Sequence, residues 1–104
     1  MQVQTSTGKS IHQPAEVAER VDYAVNHTLG HLTDQLTRVE VHVDDENSIK
    51  HGAADKRCMM EARLKGHQPI AVTHHADSYE LAINGAVNKL KRSLQSTIGR
   101  LRER

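Results

Sequence analysis

The chain has 104 residues, which is enough for one domain built around one hydrophobic core. Its hydrophobic fraction is 37%, with neither tryptophan nor phenylalanine, so the core must be built mainly from aliphatic side chains. A net charge of +1 does not by itself identify a nucleic-acid-binding protein, so any such function depends on local clusters of charge. The only cysteine, Cys58, excludes an internal disulfide. No apolar run is long enough for a transmembrane segment or a signal peptide, which favours a cytoplasmic protein.

The first half of the chain predicts a strand, a helix and a second strand. Residues 1–6 alternate weakly and indicate a short strand. Pro14 suits the first turn of a helix, and apolar residues then recur at helical spacing, so a helix is predicted over residues 14–31. Residues 36–44 alternate strictly between apolar and polar side chains, which predicts a half-buried strand.

The second half predicts two more strands. Residues 55–65 alternate again, and a turn at residues 66–69 separates them from a strand over residues 70–75. The intervening segment, residues 45–54, is polar and lacks strand patterning. The predicted strands share one inward face: Val3, Val39, Val41, Val43, Cys58, Met60, Ala62, Leu64, Ile70 and Val72.

A second amphipathic helix is predicted from about residue 78 to near the C terminus. Asp77 and Glu80 have the spacing of a capping box at its start. Gly85 weakens the helix locally and would allow close packing on the sheet. The apolar face of this helix is predicted to contain Leu81, Ala82, Ala86, Val87, Leu90 and Leu94.

The order strand, helix, three strands, helix predicts a single α+β domain over residues 1–104. Three consecutive strands joined by turns form an antiparallel meander, and the first strand joins them through a helical crossover. Both helices then cover one face of a four-stranded sheet. The other face, rich in Arg, Glu, His and Lys, is left to solvent.

Histidine spacing does not predict a complete metal site. His74 and His75 are adjacent in a strand and point to opposite faces, so they do not bind one ion together. His27 and His31 lie one helical turn apart, which allows shared ligation, but no third ligand is evident nearby. No catalytic Ser/His/Asp or Cys/His set and no phosphate-binding glycine loop is recognisable. We therefore predict no catalytic residue, metal, cofactor or small-molecule substrate, and an enzyme is disfavoured.

The acidic run at residues 44–47 lacks the glycine and the terminal glutamate of a calcium-binding loop. A solvated turn is one interpretation, with the carboxylates capping the loop or pairing with Lys56 and Arg57. A surface that faces a protein partner is the other.

Basic residues form three groups, one of which has an unusual setting. Arg57, Arg63 and Lys65 lie on the predicted open face of the sheet, Lys89, Lys91 and Arg92 lie in the middle of the second helix, and Arg100, Arg102 and Arg104 lie at the end of that helix. This helix has no acidic residue between Glu80 and Glu103. A helix that needs only solubility normally mixes both signs of charge, so contact with nucleic-acid phosphates is predicted there. The predicted contact residues are Lys89, Lys91, Arg92 and Arg100.

These features together resemble a known family. The element order, the segment Thr37-Arg-Val-Glu-Val-His-Val43 and the second-helix pattern of Tyr79, Ala82, Ile83, Gly85 and Lys89-Leu90 are similar to the ribosome hibernation-promoting factors and ribosome-associated inhibitors, also called sigma-54 modulation proteins. The segments Asp55-Lys-Arg-Cys58, Glu61-Ala-Arg63 and Pro69-Ile70 are similar to a short, single-domain branch of that family.

The resemblance implies a fold similar to double-stranded-RNA-binding domains. It also implies binding to the small ribosomal subunit, in the channel used by mRNA and tRNA, with translation silenced in stationary phase or stress. Lys89 and Arg92 match basic positions of the family's second helix, and Lys91 lies in the same neighbourhood.

The chain also departs from the family pattern. Residues 95–99 replace a run of lysines and histidines, and lysines of the family's first helix are replaced near Ala24 and His27. The second, dimerising domain of long members is absent, so the chain is not expected to dimerise ribosomes in their manner. The alternative function is a protein-interaction module that keeps the fold without ribosome binding, using the open sheet face and the acidic run.

Overall fold

The computed structural model describes residues 1–46 and 55–102, and it confirms the predicted α+β order. Each boundary differs from the predicted one by at most two residues. The 3₁₀ turn that follows the first helix was not predicted. The elements are β1 (Gln2–Thr7), α1 (Pro14–Leu29), a 3₁₀ helix (Gly30–Gln35), β2 (Leu36–Asp45), β3 (Lys56–Leu64), β4 (Ile70–Ala76) and α2 (Tyr79–Arg102).

The four strands form one sheet in the order β1-β2-β3-β4. β1 pairs with β2 in parallel, since α1 carries the chain back between them, and the other pairs are antiparallel. Val41 lies between Thr5 of β1 and Met60 of β3, which fixes the register across the sheet. α2 packs on β3 and β4, and α1 packs on β1 and against α2. Both helices therefore cover the same face.

The core lies between that face and the helices, and it is almost wholly aliphatic. Val39, Val41 and Val43 of β2 are each at most 2% exposed, as the alternating pattern predicts. Val3 on β1 and Val72 on β4 face the same way but are only partly buried, because their strands form the edges of the sheet. Within the described residues, no helix is long and apolar enough to cross a membrane.

Two details of the predicted second helix are wrong. Leu81 is 55% exposed, because it lies about 180° around the helix axis from buried Leu90 at about 100° per residue. Ile83 takes the inward position instead and is fully buried. The N-cap is Ser78 rather than Asp77, since the Leu81 amide N–H donates a hydrogen bond of 3.1 Å to Ser78 Oγ.

Candidate nucleic-acid interface

The outer surface of α2 carries charge of one sign. The helix has 24 residues and begins with Glu80 in its first turn, after which residues 81–102 contain no acidic side chain. Its inner side is fixed by Ala86, Leu90 and Leu94, which are fully buried. The cations of this segment are thereby placed on the sides of the helix that do not face the core.

Lys89 lies along the edge of the sheet. Its Nζ donates a 2.9 Å hydrogen bond to the backbone oxygen of Thr73 on β4. This bond holds the side chain against the strand and satisfies a carbonyl at the sheet edge. An ammonium group has three N–H donors, so Lys89 keeps donors for an incoming phosphate.

Arg92 and Lys91 have no hydrogen bond or ion pair with any residue that the structure describes. Arg92 is exposed, whereas Lys91 is partly buried. At about 100° per residue, Arg92 lies about 60° around the helix axis from Lys89, and Lys91 lies about 160° away. The structure therefore brings Lys89 and Arg92 together and places Lys91 on a different side of α2.

Arg100 extends the side that Lys89 occupies. It lies about 20° around the axis from Lys89 and about 16 Å further along the helix. Its guanidinium group donates to Ser96 Oγ at 2.8 Å and to Thr97 Oγ1 at 3.2 Å. Both acceptors are neutral, so the positive charge is not compensated by them. Three of the four predicted contact residues thus form one row, which we call the cationic row: Lys89, Arg92 and Arg100.

The open face of the sheet has cations that are already paired. Arg63 lies 4.0 Å from Glu40 and 3.7 Å from Glu61, and Arg38 lies 3.1 Å from Glu40. These residues are partly exposed, and each ion pair lowers the field that a phosphate would meet. The pairing therefore applies to Arg38 and Arg63, whereas Arg57 and Lys65 on the same face form no ion pair with a described residue.

The two adjacent histidines of β4 point to opposite faces, as predicted. His75 lies on the open face, where its Nε2 is 2.7 Å from a Glu46 carboxylate oxygen. His74 lies on the helix-covered face, against Gly85 of α2. Burial, followed by the nearby positive charge of Lys89 and by His75, lowers the pKa of His74 below its usual 6.5.

Sequence reasoning missed an exposed aromatic pair on α1. The rings of Tyr23 and His27 are stacked, with centroids 5.4 Å apart and an angle of 12° between their planes. The i, i+4 spacing on one helix was the available signal. Within residues 1–46 and 55–102, no three His, Cys, Asp or Glu side chains come close enough to hold a metal ion.

The acidic run partly forms internal pairs. Lys56 lies 3.4 Å from Asp45 and 3.1 Å from Asp55, and its ammonium group is 5.5 Å from the centre of the Tyr79 ring. The hydrogen bond that Lys56 Nζ donates to the Asp55 carboxylate is the largest cause that raises the pKa of Lys56 above its usual value, and burial opposes it. Asn47 lies outside the described residues. The pairing with Lys56 that the sequence suggested is present.

The molecule is elongated, with extents of 50 × 23 × 20 Å, and its charge is polarised along the strands. Both helices begin where β2 and β4 end, and we call this the acidic end. At the other end, β2 begins and α2 ends, and we call this the basic end. At the acidic end, acidic residues outnumber basic ones: Glu16, Asp44, Asp45, Glu46, Asp55, Asp77 and Glu80 compared with Lys9, Arg20, Lys56 and Arg57. At the basic end, basic residues outnumber acidic ones: Arg63, Lys65, Arg100 and Arg102 compared with Asp34.

A cleft of about 540 Å³ lies at the acidic end, between the N-terminal turns of the two helices. Its wall contains Arg20 and Glu80, which form an ion pair of 2.7 Å between α1 and α2. Asp45 and Lys56 on the same wall are also paired. Glu16 is a third carboxylate on this wall, so carboxylates outnumber Arg20 and Lys56 and the cleft does not favour a phosphate group.

Solved structures show the same fold. A ribosomal subunit interface protein from Coxiella burnetii is 16% identical, with a TM-score of 0.74, and the match covers 95% of this chain and 99% of that chain. The N-terminal domain of Protein Y from Thermus thermophilus is 14% identical, with a TM-score of 0.73, and the match covers 93% and 99%. No curated protein has significant sequence similarity to the chain.

A family profile matches the sequence directly. The family is described as sigma 54 modulation protein / S30EA ribosomal protein, and the match covers residues 5–102. This range includes both helices, β2, β3 and β4 in full, and the second half of β1. The chain therefore belongs to the sigma-54 modulation protein / S30EA ribosomal protein family.

Proposed function

We propose that this protein is a cytoplasmic ribosome-associated factor that binds the small ribosomal subunit and blocks translation by occupying the channel used by mRNA and tRNA. The observation that carries the proposal is the cationic row on α2, in a chain whose family is described as ribosomal. The two similar structures are of a ribosomal subunit interface protein and of Protein Y, which is consistent with this partner.

The mechanism is steric and needs no catalytic residue or cofactor. The cations of the row, Lys89, Arg92 and Arg100, contact rRNA phosphates and release condensed counterions. The aliphatic core makes the bound domain a rigid body that is wider than a single RNA strand. A bound copy then excludes mRNA and tRNA by overlap.

The geometry supports an order of importance among the proposed contact residues. Arg92 is exposed and has no partner among the described residues, so its guanidinium group is available for a bidentate phosphate contact. Lys89 is available in part, since it also donates to Thr73. Lys91 is placed on the side away from the row, and Lys91→Gln is expected to weaken binding less than Arg92→Gln.

Sedimentation with purified ribosomal subunits tests the proposal. The protein is expected to comigrate with the small subunit, and prebound mRNA and initiator tRNA are expected to reduce that comigration. Inhibition of translation in a reconstituted reaction should follow the bound fraction. Binding to the large subunit alone, or binding that mRNA and tRNA do not affect, would contradict the occlusion mechanism.

The alternative is a protein-interaction module that does not bind ribosomes. The paired charges of the open face favour a surface that tolerates a protein partner rather than a phosphate backbone. A protein that remains at the top of a sucrose gradient of stationary-phase lysate, while its purified form fails to bind subunits, would support this alternative.

A further inference from the structure

The two edges of the sheet differ in how they are protected. On β4, Lys89 Nζ donates to the outward carbonyl of Thr73, and Pro69 precedes the strand. β1 has neither device, because residues 2–7 contain no charged residue and no proline. Native proteins normally protect an edge strand with such residues.

β1 also presents free backbone groups. The Gly8 amide N–H donates to the Val43 oxygen at 2.9 Å, so the backbone groups of residues 4, 6 and 8 point toward β2. Those of Val3, Thr5 and Thr7 consequently point away from the sheet. Within the described residues, no other strand pairs with this side of β1. None of the six residues of β1 is buried.

From these observations we propose that β1 is an interface, and that its occupant is β1 of a second copy of this chain, paired antiparallel about a twofold axis at Thr5. Val3 would pair with Thr7 of the other copy, and Thr5 would pair with Thr5. The three pairs form about six backbone hydrogen bonds and join the two sheets into one.

The side chains of β1 suit this self-pairing. On the open face, Gln4 lies opposite Ser6 of the other copy in both halves of the interface, so that no like charges meet. On the helix-covered face the neighbours are Val3, Thr5 and Thr7, and β-branched side chains pair well across strands. Val3 is only partly buried in one copy, and a neighbouring strand completes its burial.

The charge polarity of the molecule favours the antiparallel orientation. β1 runs from the basic end toward the acidic end, since it is parallel to β2. Antiparallel pairing sets the basic end of each copy beside the acidic end of the other, whereas parallel pairing would place like ends together. α2 packs on β3 and β4, on the far side of the sheet, so the cationic row stays exposed in both copies. The interface is therefore independent of the proposed ribosome contact.

Sedimentation equilibrium over a wide concentration range, with two matched double variants, tests the pairing. Gln4→Lys with Ser6→Lys places like charges opposite each other twice, whereas Gln4→Lys with Ser6→Glu places opposite charges there. Both variants lose the same 2.8 Å hydrogen bond between Ser6 and His42, so the loss of that bond does not distinguish them. The parent is expected to dimerise as concentration rises, the first variant to dissociate roughly tenfold more readily, and the second to associate at least as tightly as the parent.

Thr5→Pro provides a third measurement, because proline removes an outward N–H that β2 does not use. The Thr5→Pro protein is expected to be folded by circular dichroism and monomeric by sedimentation. If it does not fold, the two double variants test the pairing without it. A parent protein that stays monomeric over the whole concentration range would overturn the proposal. The exposed edge of β1 would then be a site for a strand of another protein. A dimer that responds equally to both double variants would also overturn it.

Discussion

The imidazole ring of His74 packs directly against the backbone of Gly85, where α2 crosses β4. A Cβ atom added at Gly85 would overlap the ring atoms Cδ2 and Nε2 of His74. The glycine thus sets the distance between the helix and the sheet. Because Lys89 lies one turn further along α2 and bonds to Thr73, this close approach also helps to position the cationic row.

Gly85→Ala is expected to destabilise the protein although alanine favours helices. The gain in helix propensity is about 1 kcal/mol, and overpacking against His74 costs roughly 1–3 kcal/mol. Gly99 is the matched control, because a Cβ there meets no atom within 4 Å, so Gly99→Ala should stabilise the protein slightly. Urea denaturation measures both. Equal stabilisation by the two substitutions would contradict the close contact between Gly85 and His74. The double variant Gly85→Ala with His74→Ala should recover the stability that Gly85→Ala alone loses.

The stability of the protein is expected to fall in mild acid through His74. Its pKa is lowered in the folded protein, so the unfolded chain binds a proton near the usual 6.5 and the folded chain binds it only at lower pH. The free energy of unfolding then decreases as pH falls below about 6.5, and this loss ends below the folded pKa. Denaturation at several pH values should show a smaller acid loss for His74→Gln than for the parent. His67→Gln, on the exposed turn, is the control, and parallel profiles for parent and His74→Gln would refute this origin.

Val41→Asp is expected to unfold the domain or to cost roughly 3 kcal/mol or more, because it places an unpaired carboxylate in the core. Val41 is 2% exposed at the centre of the sheet. Ala71→Lys is the control, since Ala71 is exposed on the open face opposite Glu61. Thermal unfolding followed by circular dichroism compares the two. A Val41→Asp protein as stable as the parent would mean that the faces of β2 are reversed.

Cys58 is expected to be unreactive until the protein unfolds. It is fully buried, and burial raises its pKa to about 12, so the nucleophilic thiolate is scarce at neutral pH. A thiol reagent should therefore label Cys58 at a rate that rises in step with unfolding by urea. Rapid labelling of the folded protein would contradict the burial of β3.

Strand and helix positions were predictable because the core pattern is local. The alternation of Val39, Val41 and Val43 specifies both the strand and its inner face. Leu81 was wrongly assigned to the apolar face of α2 because it directly precedes Ala82 in the sequence. Its angle around the helix axis places it outside that face. The separation of Lys91 from Lys89 follows from the same angle and was accessible from sequence.

Contacts between distant elements were not predictable. The Arg20–Glu80 ion pair and the bond from Lys89 to Thr73 depend on how α1 and α2 are placed over the sheet. The pairing of Arg63 with Glu40 depends on the register of β2 and β3. The sequence shows that Arg20, Arg63 and Lys89 are cations, but it does not show which of them are paired. Only the fold distinguishes paired cations from those that can contact a phosphate.

The salt dependence of binding to the small ribosomal subunit tests the central claim most directly. The variant that combines Lys89→Gln, Lys91→Gln and Arg92→Gln is compared with a matched set of three cations from the opposite side, Arg57→Gln, Arg63→Gln and Lys65→Gln. Circular dichroism establishes that both remain folded. Each lost phosphate contact lowers the slope of log K against log salt by roughly one unit. We predict a slope shallower by about two units and weaker translation inhibition for the α2 variant, with little change for the other. Unchanged affinity and slope for the α2 variant, with loss in the matched set, would contradict the account and move the contact to the open face.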